Sequence, residues 1–398
     1  MQGMLGTPDT KYIYGVYFLY NEGQKHIDLY FCDCSDIAYY SSEHLNPADS
    51  CKDHVHFIGN LSDEDISRIK DKITDDFPDI EIPCIASYFP QISNINSNVI
   101  FENETHSPNE NRAQSVRALA NTLCLADALK CHCVEIVGGI NIPRNANELL
   151  ELRYLSYNND ITPAMYKEEK LTRFATSIRE TLDQYFATQN HKNEPPLIAI
   201  EIEPGSSFLI GNIEDYIWLK YKLYEQVKND QTKITYPSYV KLNIDVAHAF
   251  LAGITVNSIK QFTFQGMEST YDLSGEIAHM HISDHAGHGR RQDILPWGGH
   301  ASDLQVGEFH FDGDYQPWLE FAVELSNRPQ SSFSKAIAIE MEAYNDIDAV
   351  ILSERRLTRW LKDIFSKYNS AVNRPFTESI TNDIQALLTQ MSESRSLY

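Results

Sequence analysis

Residues 196–205 read PLIAIEIEPG, a β-branched apolar run that ends in two glutamates and a Pro-Gly turn. A run that is apolar nearly throughout is typical of a strand covered on both faces, as in a parallel sheet. Five other segments share this character and are bounded by Gly, Pro or Asn; they span 82–89, 132–139, 239–246, 276–283 and 335–342. The sequence therefore predicts six buried strands.

Long amphipathic segments separate these strands. Residues 112–130 and 165–186 carry apolar side chains three or four positions apart, which predicts helices. Asn212 is suited to cap a third helix, and residues 347–366 are predicted to form a later one. Repeated strand, helix and strand predict parallel pairing through crossover helices. A (β/α)8 TIM barrel is favoured over an open doubly wound sheet, because no Gly-x-Gly-x-x-Gly turn or Walker loop is present.

The two ends of the chain fit this pattern less directly. Residues 1–370 are predicted to form one barrel domain, in which 1–60 are interpreted as an added hairpin together with the first strand. Residues 371–398 are interpreted as a separate, polar C-terminal helical tail. We find no internal repeat and no low-complexity segment.

Composition narrows the class of protein. With 398 residues, 42% of them hydrophobic and 22% charged, the chain is typical of a globular protein with a large core. Its 33 Lys and Arg against 56 Asp and Glu give a net charge of −23, which repels phosphate backbones and anionic membrane surfaces. No segment approaches the roughly 20 apolar residues of a membrane span, and no basic, apolar leader opens the sequence. A cytoplasmic location is predicted, with neither nucleic acid nor membrane as a partner.

Acidic residues and histidines recur where the predicted strands end. In a barrel the carboxyl ends of the strands surround one mouth. Four successive strands end there in side chains that can bind metal: Glu201 and Glu203, Asp245 with His248, His279 and His281, and Glu340 and Glu342. Converging carboxylates repel one another unless a cation neutralises them. The pattern predicts one divalent ion, and oxygen and imidazole ligands suit Mn, Co, Mg, Fe or Zn.

Such an ion suggests a class of reaction. A sugar with adjacent carbonyl and hydroxyl oxygens can chelate the ion, whose charge acidifies the neighbouring C–H and stabilises an enediolate. A carboxylate on each side of the sugar could then remove a proton and return it at another position. Glu201 and Glu340 are the natural acid/base pair.

Four motifs together carry a family resemblance: IEIEPG at 200–205, NIDVAHAFLAG at 243–253, HMHISD at 279–284 and AIEME at 338–342. Over roughly residues 80–370 the chain resembles the xylose isomerase-like barrel superfamily, which includes sugar isomerases and epimerases, inosose dehydratase, hydroxypyruvate isomerase and apurinic endonucleases. The resemblance implies the metal ligands Glu201, Asp245, His281 and Glu340. It also implies that His248 lies beside the metal and contacts substrate, and that the two glutamates act as acid and base.

Several assignments stay open at this point. Glu203, His279 and Glu342 each lie two residues from a chosen ligand, so they share a strand face with it and are alternative ligands. The loop at 285–312 carries Arg290 and Trp297, which we interpret as substrate-binding residues: arginine suits a phosphate or carboxylate, and an aromatic ring can stack on a sugar. A solvated insertion is the alternative interpretation of this loop.

The favoured function is a divalent-metal-dependent isomerase or epimerase of a small sugar or polyol-derived hydroxy-ketone. A dehydratase of a keto-cyclitol or dehydroshikimate-like substrate begins with the same proton abstraction, and a non-catalytic metal-binding barrel is a further alternative. An apurinic endonuclease is less favoured, because Ser87, Tyr88, Gly138 and Gly139 stand where that subset has histidines. The sequence leaves the substrate, the metal and formation of a homo-oligomer open.

Overall fold

The computed structural model divides into two compact units. The first comprises Met1–Ile200 with Lys222–Val240, and the second Glu201–Tyr221 with Lys241–Tyr398. The described residues are 29–30, 58–89, 91–95, 98, 100, 106–139, 141, 163–188, 195–204, 208–264, 267–282, 312–329, 331–339, 355–364, 366–367 and 383–395. The predicted boundary between a barrel at 1–370 and a tail stays a prediction.

Parallel strands form the sheet of the first unit. Its strands are β1 (Leu29–Tyr30), β2 (Cys84–Ser87), β3 (Cys133–Val137) and β4 (Leu197–Glu201), which follow one another in that order across the sheet. β1 pairs in parallel with β2, and β2 with β3. Every residue of β2 and β3 is buried, which explains why their sequences are apolar nearly throughout. Parallel pairing is confirmed, and β1 lies within the segment interpreted as the first strand.

Three helices of the first unit begin at identifiable signals. They are α1 (Asp63–Asp76), α2 (Pro108–Leu129) and α3 (Pro163–Ala187). Ser62 and Ser107 each form a capping box with the residue three positions on, and Pro108 occupies the first turn of α2. This cap starts α2 before the predicted residue 112. Arg112 of α2 pairs with Glu180 of α3 at 2.7 Å, which joins the two helices.

The second unit also has a parallel sheet. β5 (Val240–Asp245), β8 (Ile277–Ile282) and β9 (Ala338–Ile339) pair in that order, while β6 (Phe262–Thr263) and β7 (Thr270–Tyr271) form a separate antiparallel pair. The register places Asn243 opposite His279 and Asp245 opposite His281. Paired residues on neighbouring strands project from the same face of a sheet. This register therefore puts successive polar pairs on one face.

Only some helices of the second unit were predicted from the sequence. They are α4 (Ile213–Val227), which continues into the first unit, α5 (Val246–Ala252), α6 (Val256–Lys260), α7 (Asp312–Asn327), α8 (355–364) and α9 (Asp383–Arg395). The predicted cap of α4 is confirmed, since Asn212 Oδ1 accepts a hydrogen bond from the Asp215 backbone N at 2.9 Å. Residues 347–354 of the predicted later helix lie outside the described residues.

The C-terminal helix is present, but it is not polar on every face. Leu387, Leu388 and Met391 of α9 are buried. The Tyr271 hydroxyl of β7 also donates a hydrogen bond to Gln390. Because α9 buries an apolar stripe, it packs within the second unit. No described helix is long and apolar enough to cross a membrane, and a cytoplasmic location stays a prediction.

A buried ion cluster lies at the amino-terminal ends of β5 and β8. Glu276 accepts hydrogen bonds from the ammonium groups of Lys220 and Lys241 and from the Tyr216 hydroxyl. Burial raises the pKa of Glu276, but the two ammonium groups outweigh it and lower that pKa to about 2. Burial likewise lowers the pKa of Lys220 to about 8 despite the attraction of Glu276. The cluster ties α4 to the sheet of the second unit.

Candidate metal centre

Asp245 lies at the point where β5 ends and α5 begins. Its backbone is extended, with φ −77° and ψ 127°, and its carboxylate accepts a hydrogen bond from the His248 backbone N at 2.7 Å. The Asp-x-x-His spacing is thus the spacing of a helix N-cap and the third helical residue. Gly253 ends this short helix in the left-handed region, with φ 69°. Local capping therefore fixes Asp245 and His248, both buried, at the carboxyl end of β5.

His281 lies on β8 directly opposite Asp245 in the register. It is buried, and it projects from the same face of the sheet as Asp245. His279 lies two residues before His281 on the same strand. Its Nδ1 is 2.7 Å from Ser334 Oγ, and its ring is nearly perpendicular to that of His281. The two histidines consequently have different surroundings, although they share a strand face.

Glu201 is the last residue of β4 and the first of the second unit. Its Oε1 lies 3.3 Å from His248 Nδ1, and both side chains are buried. Glu201 and His281 offer ligand atoms within 4.8 Å of each other. A buried carboxylate and a buried imidazole so close together form a pair that can bind one cation.

Glu135 is a metal-competent side chain that the sequence prediction missed. Glu135 belongs to the first unit, whereas the metal-competent group of the second unit comprises Glu201 and His281. Glu135 lies in the middle of β3, opposite Ala86, and is buried. The prediction considered only strand ends, whereas a lone glutamate inside an otherwise apolar strand is itself a signal.

These side chains fit a divalent ion chemically. Carboxylate oxygens with an imidazole nitrogen suit Mg, Mn, Fe, Co or Zn, in line with the predicted cofactor. A buried carboxylate is costly unless it is neutralised or hydrogen-bonded. Asp245 is not a member of the metal-competent group, and its carboxylate caps α5. Its role as a ligand stays a prediction.

The other predicted site residues divide into two sets. Glu203 is buried just beyond β4, where its backbone N donates to Ile210 O at 3.1 Å, and it is not in the metal-competent group. Predicted residues outside the described part of the chain are Glu340, Glu342, Arg290, Trp297 and the loop 285–311. Their roles, like the substrate contact assigned to His248, stay predictions.

The sequence matches one family model, described as xylose isomerase-like TIM barrel, over residues 44–364. This match confirms the predicted fold class and the family resemblance. No curated protein sequence matches the chain at a significant level.

Several solved structures align with this chain at low identity. An L-ribulose 3-epimerase aligns at a TM-score of 0.46 and 12% identity, over 88% of this chain and 99% of that chain. Endonuclease IV from Thermus thermophilus aligns at 0.48 and 13%, over 90% and 96%. A xylose isomerase-like TIM barrel protein from Mycobacterium smegmatis in complex with magnesium aligns at 0.46 and 11%, over 90% of each chain.

Proposed function

Because this chain belongs to the xylose isomerase-like TIM barrel family, we propose that it is a divalent-metal-dependent isomerase or epimerase of a small hydroxy-ketone derived from a sugar or polyol. One observation carries the proposal. Glu201 and His281, each at or near the end of a parallel strand and each buried, offer ligand atoms within 4.8 Å of each other. Such a pair suits a bound cation better than it suits core packing.

The proposed ligands are Glu201, Asp245, His281 and Glu340. The bound ion would supply Lewis acidity, which draws electron density from the carbonyl and hydroxyl oxygens of the substrate. This acidifies the C–H of the hydroxyl-bearing carbon beside the carbonyl. The ligand set has three carboxylates and one imidazole, a combination that leaves positions for two substrate oxygens.

The proton transfers are assigned to the two glutamates. The Glu201 carboxylate removes a proton from the carbon beside the carbonyl, and the electron pair of that C–H bond moves into the enediolate. Glu340, in its protonated form, donates a proton to the opposite face of that carbon or to the adjacent carbon. For an epimer, one C–H bond breaks and one forms at the same carbon. For an isomer, the hydroxyl proton also moves to the former carbonyl oxygen, so the composition is unchanged in both cases.

His248 is proposed to orient the base. Its Nδ1 lies 3.3 Å from Glu201 Oε1, and Asp245 fixes its backbone through the cap of α5. These contacts restrain the rotation of the Glu201 carboxylate while one edge of the imidazole faces the substrate. Arg290 and Trp297 are proposed to select the substrate, the guanidinium by pairing with a phosphate or carboxylate and the indole by stacking on the sugar.

Proton NMR in D2O tests this proposal. The Mn²⁺-loaded protein is incubated with a panel of ketoses and keto-polyols. Where paramagnetic Mn²⁺ broadens the substrate resonances, the Mg²⁺-loaded protein is used instead. We expect deuterium to enter at the carbon beside the carbonyl as an isomeric product appears. Loss of water would instead identify a dehydratase, and an unchanged spectrum together with cleavage of abasic DNA would identify an endonuclease.

Variants then assign the acid and base. Glu201→Gln and Glu340→Gln should each lower kcat by at least about 100-fold, the scale of general acid–base catalysis. The matched control is Glu203→Gln, two residues along from Glu201 and also buried, which should retain most of the activity. Full turnover by Glu340→Gln with metal bound would contradict the proton transfer described above.

A further inference from the structure

The second unit contains a buried amide that the proposed chemistry does not use. Asn243 is 0% exposed. Neither its Oδ1 nor its Nδ2 has a hydrogen-bond partner among the residues that the structure describes. Buried amides in native proteins are nearly always hydrogen-bonded, either to protein groups or to internal water. Asn243 therefore marks a place where a small polar ligand is expected.

The position of Asn243 follows from the alternation of β5. Lys241, Asn243 and Asp245 are two residues apart, so they project from the same face of the strand. Asn243 is opposite His279 in the register, and Asp245 is opposite His281. The amide consequently lies one layer beneath Asp245 and His281, about 7 Å along the strand.

The surrounding layer offers further partners for a small polar molecule. His279 projects from the same face as Asn243, and its ring centroid is 5.2 Å from that of His281. The Nδ1 of His279 is engaged with Ser334 Oγ, which restrains the orientation of the ring. An internal water ordinarily makes about three hydrogen bonds. The two amide atoms of Asn243 supply a donor and an acceptor, which are two of these three partners.

We propose that Asn243 binds a buried water beneath Asp245 and His281, and that this amide and its water hold the ligand layer in place. Asn243 is thus a positioning residue. Groups that contact metal ligands from behind fix their orientation and tune metal affinity. The effect on metal binding rests on the proposed function, whereas the water site stands on the burial and the hydrogen bonding of Asn243 alone.

A high-resolution crystal structure of the metal-free wild-type protein tests the water site directly. We expect an ordered water within hydrogen-bond distance of both Asn243 side-chain atoms. In Asn243→Leu, which fills the same space with an apolar side chain, that water should be absent. A dry amide in the wild-type protein would overturn the inference.

Calorimetric titration with Mn²⁺ alone tests the positioning role. We expect Asn243→Leu to weaken Mn²⁺ binding about tenfold. Asn243→Ser keeps a donor and an acceptor, so it should recover most of the affinity, and it serves as the second variant if the leucine protein does not fold. The control is Asn257→Leu at an exposed position of α6, which should leave the affinity unchanged.

The outcomes separate this inference from the proposed function. Equal Mn²⁺ affinities for the wild-type and both Asn243 proteins would overturn the positioning role while leaving the proposed enzyme intact. If the wild-type protein bound no Mn²⁺, the proposed function and the positioning role would both fail. The crystal structure would still decide whether Asn243 holds water.

Discussion

The two units of this protein differ in the side chains that their buried strand faces carry. In the first unit the face of β2 and β3 that carries Cys84, Ala86 and Cys133 holds a single charged residue, Glu135. In the second unit one face of β5 and β8 carries mostly polar residues. They are Lys241, Asn243 and Asp245 on β5, and His279 and His281 on β8. Barrel strands ordinarily present branched apolar side chains to the interior. The second unit has polar side chains in place of this apolar packing.

This difference shows that the two faces of one strand can have separate roles, one polar and one apolar. The other faces of β5 and β8 carry fully buried apolar side chains: Leu242, Ile244, Ala278, Met280 and Ile282. Burial of this face stabilises the sheet, while on the polar face Lys241 pairs with Glu276 and His279 contacts Ser334. In the first unit comparable pairs join helices instead, as Arg112 and Glu180 do.

The largest expected effect comes from the ion cluster of the second unit. Glu276→Gln should lower the free energy of unfolding by about 3–5 kcal/mol, because two buried ammonium groups lose their carboxylate. In the first unit Glu180, with a side chain 33% exposed, is the matched control, and Glu180→Gln should cost about 1 kcal/mol. Urea denaturation measures both. Equal losses would remove the contrast between the units.

The same cluster predicts a pH dependence. The pKa of Glu276 is about 2, against an ordinary 4.5, because Lys220 and Lys241 outweigh the effect of burial. A lowered folded-state pKa gives stability that is present above pH 4.5 and is lost as the pH falls toward 2. This part amounts to about 3 kcal/mol. The stability difference between wild-type protein and Glu276→Gln should therefore shrink on acidification, and a difference independent of pH would contradict the assignment.

A pair of histidine variants sharpens the comparison at the metal centre. His281→Ala should weaken Mn²⁺ binding by about 100-fold, since it removes a proposed ligand. His279→Ala removes a residue that contacts the His281 ring and Ser334, so a loss of about tenfold is expected. Calorimetry measures the two affinities. A larger loss for His279→Ala would show that the register of the ligands is shifted by two residues.

Substitution of Glu135 tests whether the two units differ in metal binding. It is the buried carboxylate of β3 in the first unit, whereas the proposed metal ligands belong to the second unit. We expect Glu135→Gln to leave Mn²⁺ affinity nearly unchanged, the smallest effect in this series, because every proposed ligand belongs to the second unit. The isosteric amide keeps the packing, so a thermal melt should change little. A clear loss of Mn²⁺ affinity would contradict the assignment of all metal ligands to the second unit.

Much of the fold could be predicted because its signals are local. Six strands were predicted from apolar runs, and in each the structure has a parallel strand. The cap at Asn212 was predicted because capping depends on residues three positions apart. The helix α1 was not predicted, although Ser62 and Asp65 form a capping box at its start. The start of α2 was placed too late for the same reason, since the box at Ser107 was overlooked.

The candidate site was less accessible from the sequence. Glu201 and His281 were both named, but two neighbours of identical chemistry, Glu203 and His279, shared their strand faces. Periodicity cannot distinguish residues two apart, because both project the same way. Glu135 was missed because it lies in mid-strand. Asn243 gave no signal at all, since only packing reveals whether an amide finds partners.

The sequence by itself determined the family, the parallel α/β class, the acidic charge and the capping of α5 that links Asp245 to His248. Each of these depends on composition or on residues close together in the chain. Only the tertiary structure decided that Glu201 lies 3.3 Å from His248, that its ligand atom comes within 4.8 Å of that of His281, and that Asn243 is buried without a partner in the described residues. Those facts depend on strand register and on packing between distant segments, which no local pattern specifies.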